Sequence, residues 1–345
     1  MGFFTIIIII LFILALVLAT LTDYRPRGSE TLVKNGNGQL SKLNKSELTF
    51  VTWNIGYGGL GKEMDFFYEG GKQVRPAIGL FNQYMNGIGN FIEANNQADF
   101  ILLQEVDKKA KRSFRENQVD FLSQILNNYD YVFAKNYDVP FVPVPINNPM
   151  GGVLSGVVSF TTCSPITSER VSFPGDLGWP NSLFLLDRCY LIQRFITIND
   201  KVLVVVNTHN SAYDNGERRK QQLNLLKLAA LKEYQNGNYV MIGGDWNLNP
   251  PDFDVTQFKN GDLPSFNSVG SIESELLPAT WTWAYDKNTP TNRQVDQPYQ
   301  KGVTPTTILD YFLLSPNIEL LEIKTIDLHF EHSDHNPVKI VIRLK

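Results

Sequence analysis

After residue 47 the chain is punctuated by nine short runs heavy in β-branched and aromatic residues: LTFVTWNI, DFILLQEV, YDYVFA, VLSGVVSF, CYLIQRFITI, KVLVVVNTH, YVMIGGDWN, TILDYFLLS and VKIVIRL. Runs of this length and composition read as strands. Three other stretches carry helical spacing: Arg75–Asn95, Glu116–Asn127 and Glu217–Tyr234. In the last, Leu223, Leu226, Ala230 and Tyr234 share a face, with Asp214 or Asn215 as the cap. Strands far outnumber helices, and several follow one another with no helix between them. The expected class is therefore α/β in the broad sense (α+β): mixed sheets flanked by helices, not a strictly alternating parallel fold. No internal repeat and no second linker interrupts the pattern, so residues 47–345 read as one domain.

At 345 residues, 43% hydrophobic and 12% aromatic, the chain is long enough for a sizeable core, in one large or two ordinary domains. A net charge of −4 provides no global basic field to draw the protein onto nucleic acid, although a local basic patch would not show in the total. The two cysteines, Cys163 and Cys189, belong to no CxxC pair, which argues against structural zinc. Both fall in strand-like runs; they either pair, in an extracytoplasmic domain, or stay as buried thiols.

Residues 1–22 are a hydrophobic membrane anchor or signal segment. Phe3–Leu21 is apolar and uncharged, close to the roughly 20 residues that a spanning helix needs. It lacks the basic start and shorter apolar core of a cleaved signal peptide, and Ala19-Thr20-Leu21-Thr22 is a poor cleavage site. An uncleaved anchor is preferred, a cleaved signal on a secreted protein comes second, and a buried core helix third. Position 6 is Ile, so Met1-Gly2 does not open a myristoylation motif. Residues 23–46 are polar, aperiodic and rich in Gly, Asn, Lys and Ser, and read as a flexible linker. Arg25, Arg27 and Lys34 follow the apolar run, which by itself favours a cytoplasmic domain. The export-type N-terminus argues the other way, and the expectation is an extracytoplasmic one. Two segments rich in proline and aromatics, Asn136–Gly152 and Ser172–Arg188, read as long loops, or alternatively as a pocket rim or a lipid-touching edge.

Several strand-like runs end in the same kind of residue. Asn54, Glu105, His209, the pair Asp245 and Asn247, Asp310, and the pair Asp334 and His335 all sit at the ends or starts of apolar runs. A polar group at a buried strand end is costly unless something satisfies it. Any one of these residues alone is a turn or a satisfied core histidine; together they imply a shared polar floor. Carboxylate and amide oxygens without thiols suit a hard cation such as Mg²⁺, with Mn²⁺ as substitute. Histidine adds a base or acid working near neutral pH, and a buried carboxylate that orients it strengthens that role, Asp310 being the partner expected for His335.

The ordered set TWNIGYGG, LLQEVD, VNTH, GGDWNLNP, LDYFLLS and SDHNPV resembles the metal-dependent endonuclease/exonuclease/phosphatase superfamily, which includes pancreatic-type DNase, abasic-site endonucleases, bacterial sphingomyelinases and inositol-polyphosphate 5-phosphatases. The likeness spans Thr49 to Leu344; each motif is weak alone, and six in order are specific for the superfamily but not for a substrate. The resemblance implies a four-layer α/β/β/α sandwich with its site at one edge of two packed sheets. It implies Asn54, Glu105 and Asp334 as metal ligands, His335 oriented by Asp310 as base or transition-state stabiliser, Asp245 and Asn247 positioning nucleophile and phosphate, and His209 on the phosphate or leaving oxygen. His332 matches no motif position, and Arg112 and Arg188 read as solvated charges. The Gly-rich, aromatic stretch after the first motif is expected to order near the pocket and restrict access. The resulting expectation is a membrane-tethered phosphoesterase acting on lipid head groups or small phosphates. The alternatives are a nuclease on DNA or RNA, and an inactive module that binds phosphorylated ligands.

Overall fold

The computed structural model describes residues 2–38, 41–175, 178–212, 216–258 and 269–345. Two seven-stranded sheets form its centre. One runs in the order β15 (Ile318–Thr325), β16 (Val338–Leu344), β3 (Glu47–Asn54), β4 (Phe100–Asp107), β6 (Gly151–Thr161), β5 (Asp130–Val142), β2 (Asn35–Gly36). The other runs β1 (Ser29–Thr31), β7 (Thr167–Ser172), β8 (Cys189–Ile196), β9 (Val202–His209), β10 (Tyr239–Asp245), β14 (Asp310–Leu314), β11 (Thr282–Ala284). A two-stranded ribbon, β12 (Asn292–Arg293) with β13 (Thr306–Thr307), lies apart from both. The helices are α1 (Gly2–Thr22), α2 (Ile78–Ala94), α3 (Gln118–Ile125) and α4 (Glu217–Gln235).

The strand runs are apolar at nearly every position because both sheet faces are covered. In β3, Leu48 and Phe50 point into the core between the sheets, where they meet Phe195, Leu203, Met241 and Phe312 of the opposite sheet. Val51 and Trp53 point outward, onto Phe81, Ile88 and Ile92 of α2 and Leu122 of α3. On the far side, Val204, Val206, Val240 and Ile242 meet Leu223, Leu226 and Ala230 of α4. The outcome is the four-layer sandwich, helix–sheet–sheet–helix. Phe50, fully buried and stacked on Phe100 with ring centroids 4.3 Å apart, ties the layers together; its truncation to Ala costs about 3–5 kcal/mol.

Among the described residues two pairs of strands are parallel, β3 with β4 and β9 with β10, and α2 and α4 are the crossovers that join them. This brings the carboxyl ends of four strands to one edge. β14 and β16 run antiparallel to their neighbours, so their first residues reach the same edge: Asp310 pairs with Asp245, and Val338 with Thr52.

Several expectations change. Residues 23–46 are not a bare linker: Ser29–Thr31 pairs with β7, Asn35–Gly36 pairs with β5, and Lys34 Nζ bonds the buried Asp130 at 2.8 Å. Short polar edge strands carry no hydrophobic signature, which is why they read as tether. Asn136–Val142 continues β5 and is not loop, with register shifts accommodating Asn136 and Pro140. The three long helices fall where spacing placed them, but Asp214 and Asn215, expected to cap α4, lie outside the described residues. Cys163 and Cys189 are both buried free thiols, in separate core clusters. α1 is apolar all round and uncovered, a 20-residue span of mean hydropathy 3.2.

Candidate active site

Asn54, the last residue of β3, joins the two sheets. Its amide Nδ2 donates to Asp245 Oδ2 at 3.0 Å and reaches Glu105 Oε1 at 3.4 Å, while its Oδ1 accepts from the Gly56 amide at 3.0 Å. Glu105 owes its position to an irregularity: the β4–β6 register shifts between Leu103 and Val106, and Glu105 adopts a left-handed backbone, φ 53°. Tyr57 and Asn247, at φ 44° and 51°, are left-handed as well, and all three line one cavity. A non-glycine residue in that region costs roughly 1–3 kcal/mol, and such strain gathers where side chains must be aimed.

At the end of β10, Asp245 Oδ1 accepts from the Asn247 amide at 3.0 Å, and Asn247 Nδ2 donates to the Asn210 carbonyl at 2.9 Å. Glycine precedes Asp245 for a steric reason: a Cβ on Gly244 would lie 2.1 Å from the Thr208 carbonyl oxygen. His209, paired with Asp245 across β9–β10, places Nε2 3.4 Å from Asp245 Oδ2 and 3.8 Å from Glu105 Oε1. Burial, and then the charges of Arg188, His335 and Arg112, hold His209 well below the ordinary histidine range, so its ring is neutral.

His335 is its opposite. Burial alone would disfavour its cation, but Asp310, Asp245 and Asp334 outweigh burial and raise it well above the ordinary value. Its Nδ1 meets Asp310 Oδ2 at 2.7 Å, and its Nε2 lies 3.0 Å from Asn292 Nδ2. The turn before it is pinned: Trp53 Nε1 donates to the His335 carbonyl at 2.8 Å, Ser333 Oγ donates to the Asn54 carbonyl at 2.8 Å, and the Arg293 amide donates to the Asp334 carbonyl at 3.0 Å. Burial pushes Asp334 up to about 7 and Asp245 to about 6.

These side chains open on a cavity of about 430 Å³. Its remaining wall includes Tyr57, Phe66 and Tyr68 from the Gly-rich stretch, Met150, Leu185 and Leu186 from the two proline-rich segments, and Arg112, Arg188 and Arg219. The sequence profile of the Endonuclease/Exonuclease/phosphatase family matches residues 51–335, which spans nearly all of this architecture. The chain belongs to that family.

Members of the endonuclease/exonuclease/phosphatase family hydrolyse phosphoric ester bonds, and this chain is such a hydrolase. Solved structures share its fold at low sequence identity. A family member from Beutenbergia cavernae is 17% identical, with a TM-score of 0.57 over 87% of this chain and 72% of its own. ANGEL2, described as a 2',3'-cyclic phosphatase, is 15% identical, with a TM-score of 0.57 over 92% and 99%. The catalytic domain of human Nocturnin is 17% identical, with a TM-score of 0.52 over 91% and 98%. Among curated proteins no sequence relative is found.

All eight residues singled out in the sequence converge. Asn54, Glu105, His209, Asp245, Asn247, Asp334 and His335 line the cavity, and Asp310 stands directly behind His335. Among the described residues, the ligand atoms of Asp245, Asp310 and His335 lie within 4.8 Å of one another. Asp310 Oδ2 and His335 Nδ1 are engaged with each other, so this group reads as a dyad beside a carboxylate. The donor set nevertheless fits a hard divalent cation. Glu105, Asp245 and Asp334 face one cavity, and the upward shifts of Asp245 and Asp334 mark carboxylates that lack sufficient positive charge nearby.

Arg112 was expected in solvent and is instead buried. It makes paired contacts with Asp107 at 3.1 and 2.9 Å and lies 3.8 Å over the Tyr57 ring. Arg188 is half-buried on the cavity wall, its Nη1 3.5 Å from the His209 carbonyl. His332 packs over Gly87 of α2, away from the cluster. Asn292 was missed. It belongs to a two-residue strand with no periodic signal, and only the fold carries it to His335.

Proposed function

We propose that this hydrolase is a Mg²⁺-dependent phosphoesterase, with Mn²⁺ as substitute, that cleaves lipid head groups or other small phosphate esters. The observation that supports it most is the His335–Asp310 pair, 2.7 Å apart and buried, beside three carboxylates on one cavity wall. Asn54, Glu105 and Asp334 would hold the ion. When bound it supplies polarisation of a phosphoryl oxygen and offsets charge on the leaving group.

The chain's own residues carry the proton work. Asp310 accepts the Nδ1 proton of His335 and leaves Nε2, next to Asn292, to take a proton from the attacking water or, as the cation, to stabilise the phosphoryl transition state. Water adds to phosphorus as its proton passes to His335 Nε2, the ester P–O bond breaks, and the leaving oxygen takes a proton from the His335 cation or from solvent water. Neutral His209 offers its ring to a phosphoryl oxygen, and Asp245 with Asn247 positions the nucleophile. The enclosing Tyr57, Phe66 and Tyr68 favour a small ester over a duplex. Phe66 and Tyr68, the two less buried of these rings, also favour a second reading, a nucleotide ester whose base stacks on them.

The test is hydrolysis of bis-p-nitrophenyl phosphate by the full chain in Mg²⁺ against EDTA. A panel of phospholipids, inositol phosphates, nucleotides and DNA follows, with Glu105→Ala as blank. Turnover of head groups or small esters is expected. DNA cleavage at the rate of good nucleases, abolished by His335→Ala, overturns the substrate reading; no turnover with any divalent metal leaves a phospholigand-binding module. We propose in addition that α1 is an uncleaved anchor holding an extracytoplasmic domain. Membrane-bound protein should begin at Met1 or Gly2, and a mature start beyond Thr22 contradicts this.

A further inference from the structure

The mouth of the catalytic cavity is bordered by apolar side chains that the fold leaves in solvent. On the hairpin between β5 and β6, Ile146 is 88% exposed, Phe141 51% and Val144 38%. The hairpin is attached to the cavity wall: the Met150 amide donates to the Val144 carbonyl at 3.0 Å, and Met150 lines the cavity. Its conformation is held, since Arg75 Nη2 donates to Asn148 Oδ1 at 2.9 Å and to the Pro149 carbonyl at 3.2 Å. Leu186 packs against the apolar cluster that includes Val142 and Met150, and it lines both the catalytic cavity and a cavity shared with Trp179, which is 62% exposed.

Trp179 stands at the foot of α1, where its indole Nε1 donates to Thr20 Oγ1 at 3.1 Å. A second cavity, about 490 Å³, lies at this junction between residues 23–26 and the Trp179 loop. It shares Leu185, Leu186 and Arg188 with the catalytic cavity, so the two adjoin. Basic groups accompany the apolar ones: Lys109 and Lys111 are exposed near the hairpin base, with Lys111 Nζ 3.4 Å from the Pro149 carbonyl, and below α1 Arg27 is exposed while Arg25 is paired with Asp23 at 3.1 Å.

We propose that the hairpin tip, Trp179 and the foot of α1 form one continuous lipid-contacting rim that seats the mouth of the catalytic cavity on an anionic bilayer. Three observations select a bilayer as the occupant. The rim is continuous with an uncovered helix long enough to cross a membrane, exposed apolar residues form its centre, and lysines and arginines flank it, as at interfacial segments that meet anionic lipid. Indole favours the same boundary between headgroup and acyl chain. This inference deepens the proposed function, because it presents phosphoesters at the membrane surface to the site, but the contact itself does not depend on catalysis.

The test uses the full chain reconstituted in phosphatidylcholine vesicles with and without phosphatidylglycerol, the acyl chains of a fraction of the lipid being brominated as quencher. Trp53, Trp246 and Trp281 are buried, which leaves Trp179 as the most exposed indole. Quenching that disappears in Trp179→Phe is expected, together with quenching of a new indole in Ile146→Trp that strengthens with phosphatidylglycerol. Both substitutions are at exposed positions and leave the core intact. An unquenched indole at either position overturns the rim and assigns the patch to a protein partner. Bis-p-nitrophenyl phosphate hydrolysis in the same vesicles separates the two ideas: quenching without hydrolysis removes the proposed activity and keeps the rim, and hydrolysis without quenching does the reverse.

Discussion

His335 Nδ1 and Asp310 Oδ2 lie 2.7 Å apart although 25 residues separate them, and both side chains are withdrawn from solvent. One sits in a pinned turn before β16 of one sheet, the other at the first residue of β14 in the opposite sheet. The pair therefore exists only while the two sheets are packed together.

Asp310→Asn keeps the shape of this pair and removes its charge. Turnover of bis-p-nitrophenyl phosphate should fall by about 10²- to 10⁴-fold, with a smaller change in KM. Because Asp310 helps to raise His335, the histidine should also titrate at lower pH in the variant. Histidine NMR signals followed against pH check this; an unchanged His335 titration contradicts the assignment.

Asp334 near 7 and Asp245 near 6 are raised above ordinary carboxylates, and His335 is raised as well. The folded protein thus holds these protons more tightly than the unfolded chain, so their stabilising contribution is present in acid and is lost as pH rises through those values. Without metal, the stability carried by these two carboxylates should be lost between about pH 4 and about pH 7, offset in part by His209, whose lowered value contributes in the opposite sense as pH rises towards the ordinary histidine range. A divalent ion binds the deprotonated carboxylates, so the stabilisation by Mg²⁺, read as a rise in Tm, should grow over that interval, towards about 2.7 kcal/mol of unfolding free energy at a hundredfold excess over Kd. Thermal scans of the wild type and Glu105→Ala measure it. An equal gain at both pH values, or a full gain in the variant, refutes the ligand set.

Asn292→Ala removes the side chain 3.0 Å from His335 Nε2, the ring nitrogen facing the cavity. The rate should drop about tenfold or more while the unfolding free energy falls by about 1 kcal/mol or less, as for one lost neutral hydrogen bond. A pH–rate profile that keeps its shape and height would reduce Asn292 to packing.

Arg112 and Asp107 form a buried pair, so removing one partner strands a charge. Arg112→Ala should cost about 3–5 kcal/mol, whereas joint replacement of Arg112 by Met and Asp107 by Leu should recover much of it. Urea unfolding of the two singles and the double closes the cycle; additive losses would show that the pair is not coupled.

The site was legible because its residues sit at strand termini, where an apolar run meets a polar residue within a few positions. The residue types and their places at strand ends are local signals, whereas the contacts they make, Asn54 with Asp245 and Trp53 with the His335 carbonyl, are long-range. Asn292 was not legible because its partner His335 lies far along the chain, and although Asp107 is close in sequence to Arg112, nothing local signals that the fold buries this pair against Tyr57. β15 escaped for a related reason: a register shift between Leu320 and Glu322 breaks the alternation that marks a strand covered on one face.

The order of apolar runs and helical faces by itself indicated mixed sheets flanked by helices and where three of the helices lie, and the ordered motifs, through their family resemblance, pointed to the two-sheet sandwich and to the residues of the candidate site. Hydrophobic periodicity is a local property, and it survives in one dimension. Only the packed structure decided that residues 23–46 add edge strands, that Asn292 reaches His335, and that Arg112 is buried on Tyr57. Those outcomes depend on distances between segments well separated along the chain, set by how two covered sheets stack and not by any local pattern.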